Sequence, residues 1–250
     1  MLTVKNVTLR FGGLIANNDI SLTIEENKIS GLIGPNGAGK TTFFNLISGV
    51  YKPDSGEILF EGNRIDGKRP FQIQEIGISR TYQVINLFRK MSVVENVMVG
   101  MHCRLGQSFF KSLFHTKSQR AEEKMALEKA YDFLEFVGLK DKAQSMAGEL
   151  SYGEQRRLEI VRGLASNPKL ILLDEPAAGM NTKEKDDLDE LLHKILNKKV
   201  TILIIEHDMK LMMGISDYIF VLNYGKKMAE GIPMDIQNNP EVIAAYLGED

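Results

Sequence analysis

The sequence has no tryptophan, one cysteine and no long run of apolar residues. The single cysteine, Cys103, cannot form an internal disulfide, which agrees with a reducing compartment. The longest aliphatic stretches, residues 170–173 and 202–205, are far shorter than the roughly 20 apolar residues that a membrane helix needs. We therefore predict no membrane span, and we expect any connection to a membrane to pass through a partner protein.

An excess of one charge is also missing. The 31 Lys and Arg residues against 33 Asp and Glu residues give a formal net charge of -2. Because no basic stripe is present, nothing in the sequence attracts nucleic acid, and we predict no nucleic-acid partner. The composition is 43% hydrophobic and 26% charged, as in ordinary globular domains. With no linker to divide it, the chain is predicted to form one domain over residues 1–250.

Short apolar strands alternate with helical segments through much of the chain. Strands are predicted over 170–173 and 200–205, and helices over 151–166 and 183–197, so the pattern indicates a parallel sheet with helices on both faces. The first part of the chain has strand patterns separated by turn residues instead. Residues from about 84 to 150 have helical spacing, and we predict that they form a helical lobe inserted in the domain.

A glycine-rich segment follows the apolar strand predicted over residues 28–33. It matches the pattern G-x-x-x-x-G-K-[ST] in full, and a helix is predicted to follow over 41–48. Glycines allow consecutive backbone N–H groups to surround a polyphosphate, while Lys40 reaches the β- and γ-phosphates and Thr41 offers a hydroxyl to Mg²⁺. The alternative is a glycine-rich turn that carries a lysine by chance. The predicted nucleotide-binding residues are Gly34, Pro35, Asn36, Gly37, Ala38, Gly39, Lys40, Thr41 and Thr42.

Two acidic residues end the strand predicted over 170–173. Ligands gather at the carboxyl ends of parallel strands, so Asp174 and Glu175 are expected to face the glycine-rich loop. Asp174 suits a Mg²⁺ shell and Glu175 suits the activation of a water molecule, although a pair of solvated acids is the alternative. His207 ends the next strand in the same way, but a histidine there is more often structural. Gln83 has no distinctive signal of its own.

Residues 150–155, Leu-Ser-Tyr-Gly-Glu-Gln, resemble the LSGGQ signature of ABC transporter ATPases. The glycine-rich loop about 110 residues earlier and the Leu-Leu-Asp-Glu-Pro segment about 20 residues later give a spacing typical of that family. The resemblance runs from Val4 to Gly248. It implies the α/β fold of a P-loop NTPase, with a RecA-like core, an antiparallel β lobe and an inserted helical lobe, and it implies ATP and Mg²⁺ as cofactors.

The resemblance also implies individual roles. Phe11 matches the aromatic residue that stacks on adenine, and Gln83 matches the glutamine that links Mg²⁺ to the helical lobe. Glu175 matches the catalytic glutamate and His207 the switch histidine. The signature residues that would meet the ATP of a second subunit are Ser151, Gly153, Glu154 and Gln155, so the implied active site forms only in a head-to-tail dimer.

Two residues depart from the family pattern. Tyr152 replaces the first glycine of the signature, and we expect its side chain to point away from nucleotide. Asn181 stands where the family usually has an aspartate in the D-loop, the segment after the catalytic glutamate. Asparagine keeps the shape and loses the charge, which puts the cross-dimer role of this position in doubt.

Within the family, residues 11–16, 175–181, 205–217 and 245–248 look like the LivG-type subunits, which energise uptake of branched-chain amino acids. This resemblance implies a peripheral protein at the cytoplasmic face of the membrane. Its implied partners are a second ATPase subunit, two membrane permeases and an external solute-binding protein, and the dimer is either a homodimer or a heterodimer. The alternatives within the family are urea or amide import and lipopolysaccharide export.

Two other function classes are weaker. A soluble ABC ATPase that acts on DNA or ribosomes usually carries a long coiled-coil insertion or two cassettes in one chain, and this chain has neither. A kinase would explain the glycine-rich loop but not the signature segment. Among the remaining features, Met209, Met212 and Met213 are interpreted as packing residues rather than metal ligands. The aromatic cluster of residues 109–114 is either a local apolar cluster or a contact with permease or bilayer.

Overall fold

The computed structural model describes residues 1–105 and 117–247, with side chains for residues 1–101 and 124–246. The aromatic cluster of residues 109–114 therefore lies outside the described residues. The strands are β1 (Leu2–Phe11), β2 (Leu14–Ile24), β3 (Ile29–Ile33), β4 (Ser55–Phe60), β5 (Asn63–Arg64), β6 (Ile78–Arg80), β7 (Leu170–Asp174), β8 (Thr201–Ile205), β9 (Tyr218–Asn223) and β10 (Lys226–Gly231). The helices are α1 (Lys40–Ile47), α2 (Pro70–Glu75), α3 (Val93–Leu105), α4 (Lys117–Phe136), α5 (Tyr152–Leu164), α6 (Thr182–Asn197), α7 (Met209–Ile215), α8 (Pro233–Gln237) and α9 (Pro240–Leu247).

A six-stranded sheet forms the centre of the domain. Its strand order is β10-β9-β3-β8-β7-β6, with parallel pairing throughout except at the edge strand β10. Every residue of β3, β7 and β8 is buried, because helices or the second sheet cover both faces. The predicted strands over 170–173 and 200–205 are confirmed, each with a boundary one residue away from the prediction.

A second sheet is antiparallel, in the order β2-β1-β4-β5. Its first two strands are 10 and 11 residues long, whereas the sequence pattern is strand-like only over residues 2–4 and 21–24. The pairing of β1 with β2 shifts register several times, and Asn6 and Asp19 have positive φ angles of 51° and 57°. The Asn6 side-chain amide donates to Asp19 Oδ1 at 2.9 Å. These bulges interrupt the alternation on which strand prediction depends.

Helices α3, α4 and α5 lie between β6 and β7 in the chain. Helix α4 is closed by a glycine cap, because Gly138 has φ 68° and the Leu139 N–H donates to the Leu134 carbonyl at 2.8 Å. These helices share one apolar core with a face of the central sheet, while α1 and the antiparallel sheet pack on the other face. The α/β class is confirmed. The boundaries of the inserted lobe, about 84–150, stay a prediction.

The packing also decides one smaller prediction. Met212 is fully buried, and Met209 and Met213 pack partly buried against the same core, so the packing interpretation of these methionines is confirmed. Across residues 1–105 and 117–247, no helix combines the length and the apolar character that a membrane crossing requires.

Candidate active site

The predicted functional residues gather at one edge of the central sheet. Strands β3, β7 and β8 are parallel, with β3 and β7 on either side of β8, so their carboxyl ends meet at the same edge. The glycine-rich loop follows β3, Asp174 and Glu175 lie at the end of β7, and His207 follows β8. Crevices at the carboxyl ends of such strands are the usual ligand sites of open α/β sheets.

In the glycine-rich loop, residues 34–41, the backbone at two positions has a conformation that suits only glycine. Gly34 and Gly39 have φ angles of 146° and 96°, and a Cβ atom at Gly34 would lie 2.0 Å from the Leu222 carbonyl oxygen. Gly39 precedes the first residue of α1 and makes no side-chain cap, so the helix N-terminus presents its backbone N–H groups to the loop. The Lys40 ammonium donates to the carbonyl oxygens of Gly34 at 2.6 Å and Pro35 at 2.9 Å.

Residues outside the motif stabilise the loop by hydrogen bonds to its carbonyl groups. The fully buried Asn17 donates from its side-chain amide to the Gly39 carbonyl at 3.2 Å. The turn after β9 adds a second support, because the Gly225 N–H donates to the Ala38 carbonyl at 3.1 Å. Neither contact is among the predictions made from the sequence. Asn17 stands out only once its burial is known, because a buried polar side chain needs hydrogen-bond partners.

Three predicted residues meet at a single carboxylate. Gln83 Nε2 donates to Glu175 Oε2 at 3.0 Å, and His207 Nε2 lies 3.0 Å from Glu175 Oε1. Glu175 also has a positive φ of 48°, an uncommon conformation for a residue with a long side chain. Its N–H donates to the Ile205 carbonyl, which connects the turn after β7 to β8. The Glu175 carboxylate is thus held at a defined place beside the loop.

Glu206, the residue directly after β8, also stabilises this arrangement. Its buried carboxylate accepts the N–H groups of Ala177 at 2.5 Å and His207 at 3.3 Å. Burial raises the pKa of the Glu206 carboxyl above its ordinary value, and the two N–H donors oppose that shift. Glu206 thus ties the turn that follows Glu175 to the start of the turn that carries His207.

Asp174 is held by a buried arginine that the sequence analysis did not single out. Arg80 donates to Asp174 Oδ2 at 2.9 Å, to Asn45 Oδ1 on α1 at 2.7 Å, and to Oγ of Ser48, the residue directly after α1, at 2.9 Å. Burial raises the pKa of the Asp174 carboxyl, while Arg80 opposes that shift. The other oxygen, Asp174 Oδ1, is buried and has no hydrogen-bond partner among the described residues.

These residues fit a hard cation that keeps part of its water shell. Among the described residues, no group of three or more His, Cys, Asp or Glu side chains is arranged to hold a metal ion. Mg²⁺ is usually held by few protein oxygens plus water and phosphate. The Thr41 hydroxyl, the Gln83 amide oxygen and Asp174 Oδ1 are oxygen donors of that kind, since the amide nitrogen of Gln83 is the atom engaged by Glu175.

The signature segment begins helix α5. Ser151 is its N-cap and forms a reciprocal capping box with Glu154. The Glu154 N–H donates to Ser151 Oγ at 3.4 Å, and the Ser151 N–H donates to Glu154 Oε2 at 3.0 Å. Gln155 donates to the Leu150 carbonyl at 2.8 Å. Gly153 is buried, and a Cβ atom there would lie 2.6 Å from Glu184 Oε1 on α6. Ser151 is exposed at the helix N-terminus, where it is open to a second molecule.

The two departures from the family pattern have local explanations. Asn181 is the N-cap of α6, where its Oδ1 accepts the Glu184 N–H at 3.0 Å. Asparagine is among the best N-cap residues, so this helical role does not need the negative charge of aspartate. The Tyr152 ring lies beside Gly179 in the D-loop, and its hydroxyl is 3.4 Å from a guanidinium nitrogen of Arg156.

Phe11 lies at the end of β1, next to the Gly12–Gly13 turn. Its side chain is 44% exposed and contacts the Tyr51 ring edge to face, with 5.2 Å between the ring centroids. Tyr51 follows α1 closely in the chain, so this aromatic pair lies near the end of the helix that the glycine-rich loop precedes. An exposed aromatic ring in this position offers a face on which a base can stack.

Comparisons with known proteins agree with this geometry. A family model described as "ABC transporter" matches residues 17–178, and one described as "Branched-chain amino acid ATP-binding cassette transporter" matches residues 226–250. The chain is 48% identical over 250 residues to the high-affinity branched-chain amino acid transport ATP-binding protein LivG of Escherichia coli (strain K12), covering 100% of this chain and 98% of that protein.

Solved structures give the same result. The ADP conformation of an ATP-binding cassette of an ABC transporter has a TM-score of 0.85 and 32% identity, covering 100% of this chain and 99% of the other. A dimeric ATP-binding cassette in a post-hydrolysis state, bound to ADP and Pi, has a TM-score of 0.76 and 26% identity, covering 93% and 99%.

Proposed function

This chain belongs to the family of ABC transporter ATPases, and from that premise we propose that it powers the uptake of branched-chain amino acids as the ATP-hydrolysing subunit of a membrane importer. The observation that carries the ATPase role is the position of Glu175, held between Gln83 and His207 beside the glycine-rich loop. The substrate rests on the likeness to LivG over the whole chain and on the family match at residues 226–250.

The loop and helix α1 bind the polyphosphate of ATP. Backbone N–H groups of the loop and of the α1 N-terminus supply donors, and the dipole of the helix adds a positive potential. The Lys40 ammonium exchanges its contacts with the Gly34 and Pro35 carbonyls for phosphate oxygens. This exchange replaces neutral acceptors by charged ones, which strengthens each hydrogen bond.

Mg²⁺, when bound, neutralises charge on the β- and γ-phosphates. Thr41, Gln83 and Asp174 would hold it, and Arg80 binds Asp174 through Oδ2, so Oδ1 is the oxygen that would be available to the cation. Glu175 orients and deprotonates the attacking water, because its carboxylate lies at the end of β7 and is held in place by Gln83 and His207. His207 fixes one carboxylate oxygen and can contact the γ-phosphate.

The active form is a dimer in which Ser151, Gly153, Glu154 and Gln155 of one subunit face the ATP of the other. Two features support this arrangement: Ser151 is exposed at the start of α5, and a related cassette is dimeric with ADP and Pi. The N-terminus of α5 offers N–H donors to a phosphate. The second subunit is an identical or a related cassette, and the complete importer adds two permeases and an external solute-binding protein at the membrane, with this chain on the cytoplasmic face.

A groove of about 950 Å³ between α2 and α3 is the permease docking site in this proposal. Its exposed aromatic residues include Phe71, Tyr82 and Phe88. Arg162 lies at the groove with its guanidinium 5.7 Å from the centroid of the Phe88 ring, and burial lowers the pKa of that guanidinium. An apolar groove with aromatic anchors fits an amphipathic helix, the element that a membrane partner can extend from the bilayer.

We expect Phe71→Glu to weaken permease binding while MgATP binding is unchanged. Phe71 is 54% exposed on α2, and loss of an aromatic anchor typically costs about 2 kcal/mol, or roughly 30-fold in affinity. The measurement is recovery of the membrane partners after detergent extraction, with a binding titration on the purified complex. Met234→Glu is the matched control, because Met234 is 69% exposed on α8, away from the groove. Equal recovery with both variants would refute the docking site.

We expect Phe11→Leu to weaken ATP affinity by about fivefold to tenfold, because stacking of an aromatic ring on a base contributes about 1 kcal/mol or more. Leucine keeps an apolar surface against Tyr51 but has no π face. A fluorescent adenine nucleotide gives the dissociation constant for variant and wild type. A triphosphate without a base should bind both proteins equally; if it also binds the variant more weakly, Phe11 acts on the loop and not on adenine.

The transporter assignment is tested by identifying the partners. The Glu175→Gln variant is expressed in its host, trapped with MgATP, and its copurifying membrane proteins are identified by mass spectrometry. We expect two permeases and a second cassette, and radiolabelled leucine, isoleucine or valine uptake should require this chain. Copurification of a lipid-exporting pair, or uptake of urea or amides instead, would assign the same ATPase to a different transporter. Recovery of no membrane partner would overturn the transporter role.

A further inference from the structure

A buried ion pair connects the signature helix α5 to the segment that carries Gln83. The Arg156 side chain is 0% exposed and the Glu159 side chain 2% exposed, and their charged groups are 2.8 Å apart. The two residues lie three positions apart, on one face of α5. Neither residue belongs to the signature segment, and among the described residues neither side chain is hydrogen-bonded to Glu175.

Among the residues that the structure describes, the other side-chain hydrogen bonds of this pair run to residues 82–86, apart from a long contact with the Tyr152 hydroxyl. Arg156 donates to the carbonyl oxygens of Tyr82 at 2.7 Å and Gln83 at 2.8 Å. Glu159 Oε1 accepts the N–H of Asn86 at 3.1 Å. The backbone on both sides of the Gln83 side chain is therefore fastened to α5, and the Gln83 amide in turn reaches Glu175 at 3.0 Å.

Stability does not account for such a pair. Burying two charges costs free energy that their attraction only partly returns, and well-packed apolar residues in their place are often as stable. Arg156 Nε is also buried without a hydrogen-bond partner among the described residues, which adds to that cost. What the pair provides is a fixed distance between α5 and residues 82–86, because the fork of the guanidinium holds two consecutive carbonyl groups at once.

We propose that Arg156 and Glu159 are positioning residues that transmit the engagement of the signature segment to Gln83. The inference rests on the proposed function, in which Ser151 meets the ATP of the other subunit. Ser151 caps α5, and Arg156 lies near the start of the same helix. If binding of that ATP displaces α5, the hydrogen bonds of Arg156 and Glu159 move residues 82–86 with the helix. Gln83 then shifts relative to Glu175 and the cation ligands, and hydrolysis at one site follows occupation of the other.

The test is the double variant Arg156→Met/Glu159→Leu. Its apolar side chains keep the volume of the pair, so the melting temperature should stay close to that of the wild type. The rate constant kcat should fall by at least about tenfold, because the reacting groups lose their alignment, whereas KM for ATP stays within about twofold. Because unfolded protein lowers apparent kcat without changing KM, kcat is expressed per ATP-binding site, and a purely structural role would then leave both constants at their wild-type values.

Two further variants keep the test decisive. Lys227→Met/Glu230→Leu replaces an exposed ion pair with the same spacing on β10 and should leave kcat unchanged. Arg156→Lys keeps the charge beside Glu159 but loses the two-carbonyl fork, so an intermediate kcat is expected, and this variant decides the matter if the double variant does not fold. All are measured on the purified chain and on the complex from host membranes. Wild-type kcat in both Arg156 variants would overturn the inference, whereas a wild-type chain without ATPase activity would overturn the proposed function instead.

Discussion

Glu175→Gln is expected to lower ATP turnover by about 10²- to 10⁴-fold, the range that a general base contributes. Glutamine has the size and shape of glutamate and can keep one hydrogen bond to Gln83 or His207, but it cannot accept a proton from water. MgATP binding should therefore remain, since the loop and Lys40 are unchanged. The measurements are phosphate release in the steady state and the dissociation constant for MgATP.

The same variant should also stabilise the dimer. In the proposed dimer the ATP lies between the loop of one subunit and Ser151 of the other, so a protein that binds ATP without hydrolysing it should accumulate the dimer. Size-exclusion chromatography with MgATP and without nucleotide measures this shift. Glu61→Gln is the control, since Glu61 is surface-exposed and paired with Lys169. A Glu175→Gln protein with full ATPase activity would remove Glu175 from the mechanism.

Lys40→Met is expected to fail in the opposite way, with a loss of nucleotide affinity. Each hydrogen bond between the ammonium and a phosphate oxygen contributes about 1.5–3 kcal/mol, so affinity for MgATP should fall by at least about tenfold. Methionine keeps the buried stem of Lys40, which is only 6% exposed, and the variant should fold. Without bound ATP, no nucleotide-dependent dimer should form.

Isothermal titration with a non-hydrolysable ATP analogue measures this loss. Lys169→Met is the matched control, because Lys169 is an exposed lysine that pairs with Glu61. An unchanged dissociation constant for Lys40→Met would show that the loop alone binds the phosphates. Together, Glu175→Gln and Lys40→Met separate chemistry from binding, since one variant lowers kcat and the other raises the dissociation constant.

Much of the fold follows from local patterns in the chain. The buried strands β3, β7 and β8 and the helices α1, α5 and α6 were predicted within a few residues, because continuous apolar runs and helix caps are local signals. The bulged strands β1 and β2 were only partly predicted. Their polar residues interrupt the two-residue period, and only the hydrogen bond between Asn6 and Asp19 shows why those residues belong in a sheet.

The residues proposed to bind and hydrolyse ATP at the edge of the central sheet could be predicted from local sequence patterns. A glycine-rich loop between a strand and a helix, and acids at the end of a buried strand, need only the rule that parallel strands end together. For Gln83 and His207 the family resemblance provided the roles, and the structure places both within 3.0 Å of Glu175.

The residues that hold this site in place could be identified only from the folded structure. Arg80 contacts Asp174 across 94 positions of sequence, and Arg156 contacts Tyr82 and Gln83 across 74 and 73. Neither arginine is distinguished by its neighbours in the chain, and periodicity carries no information about contacts at such separations. These side chains are informative only once burial is known, because a buried charge must have partners and those partners are brought to it by the folding of the whole domain.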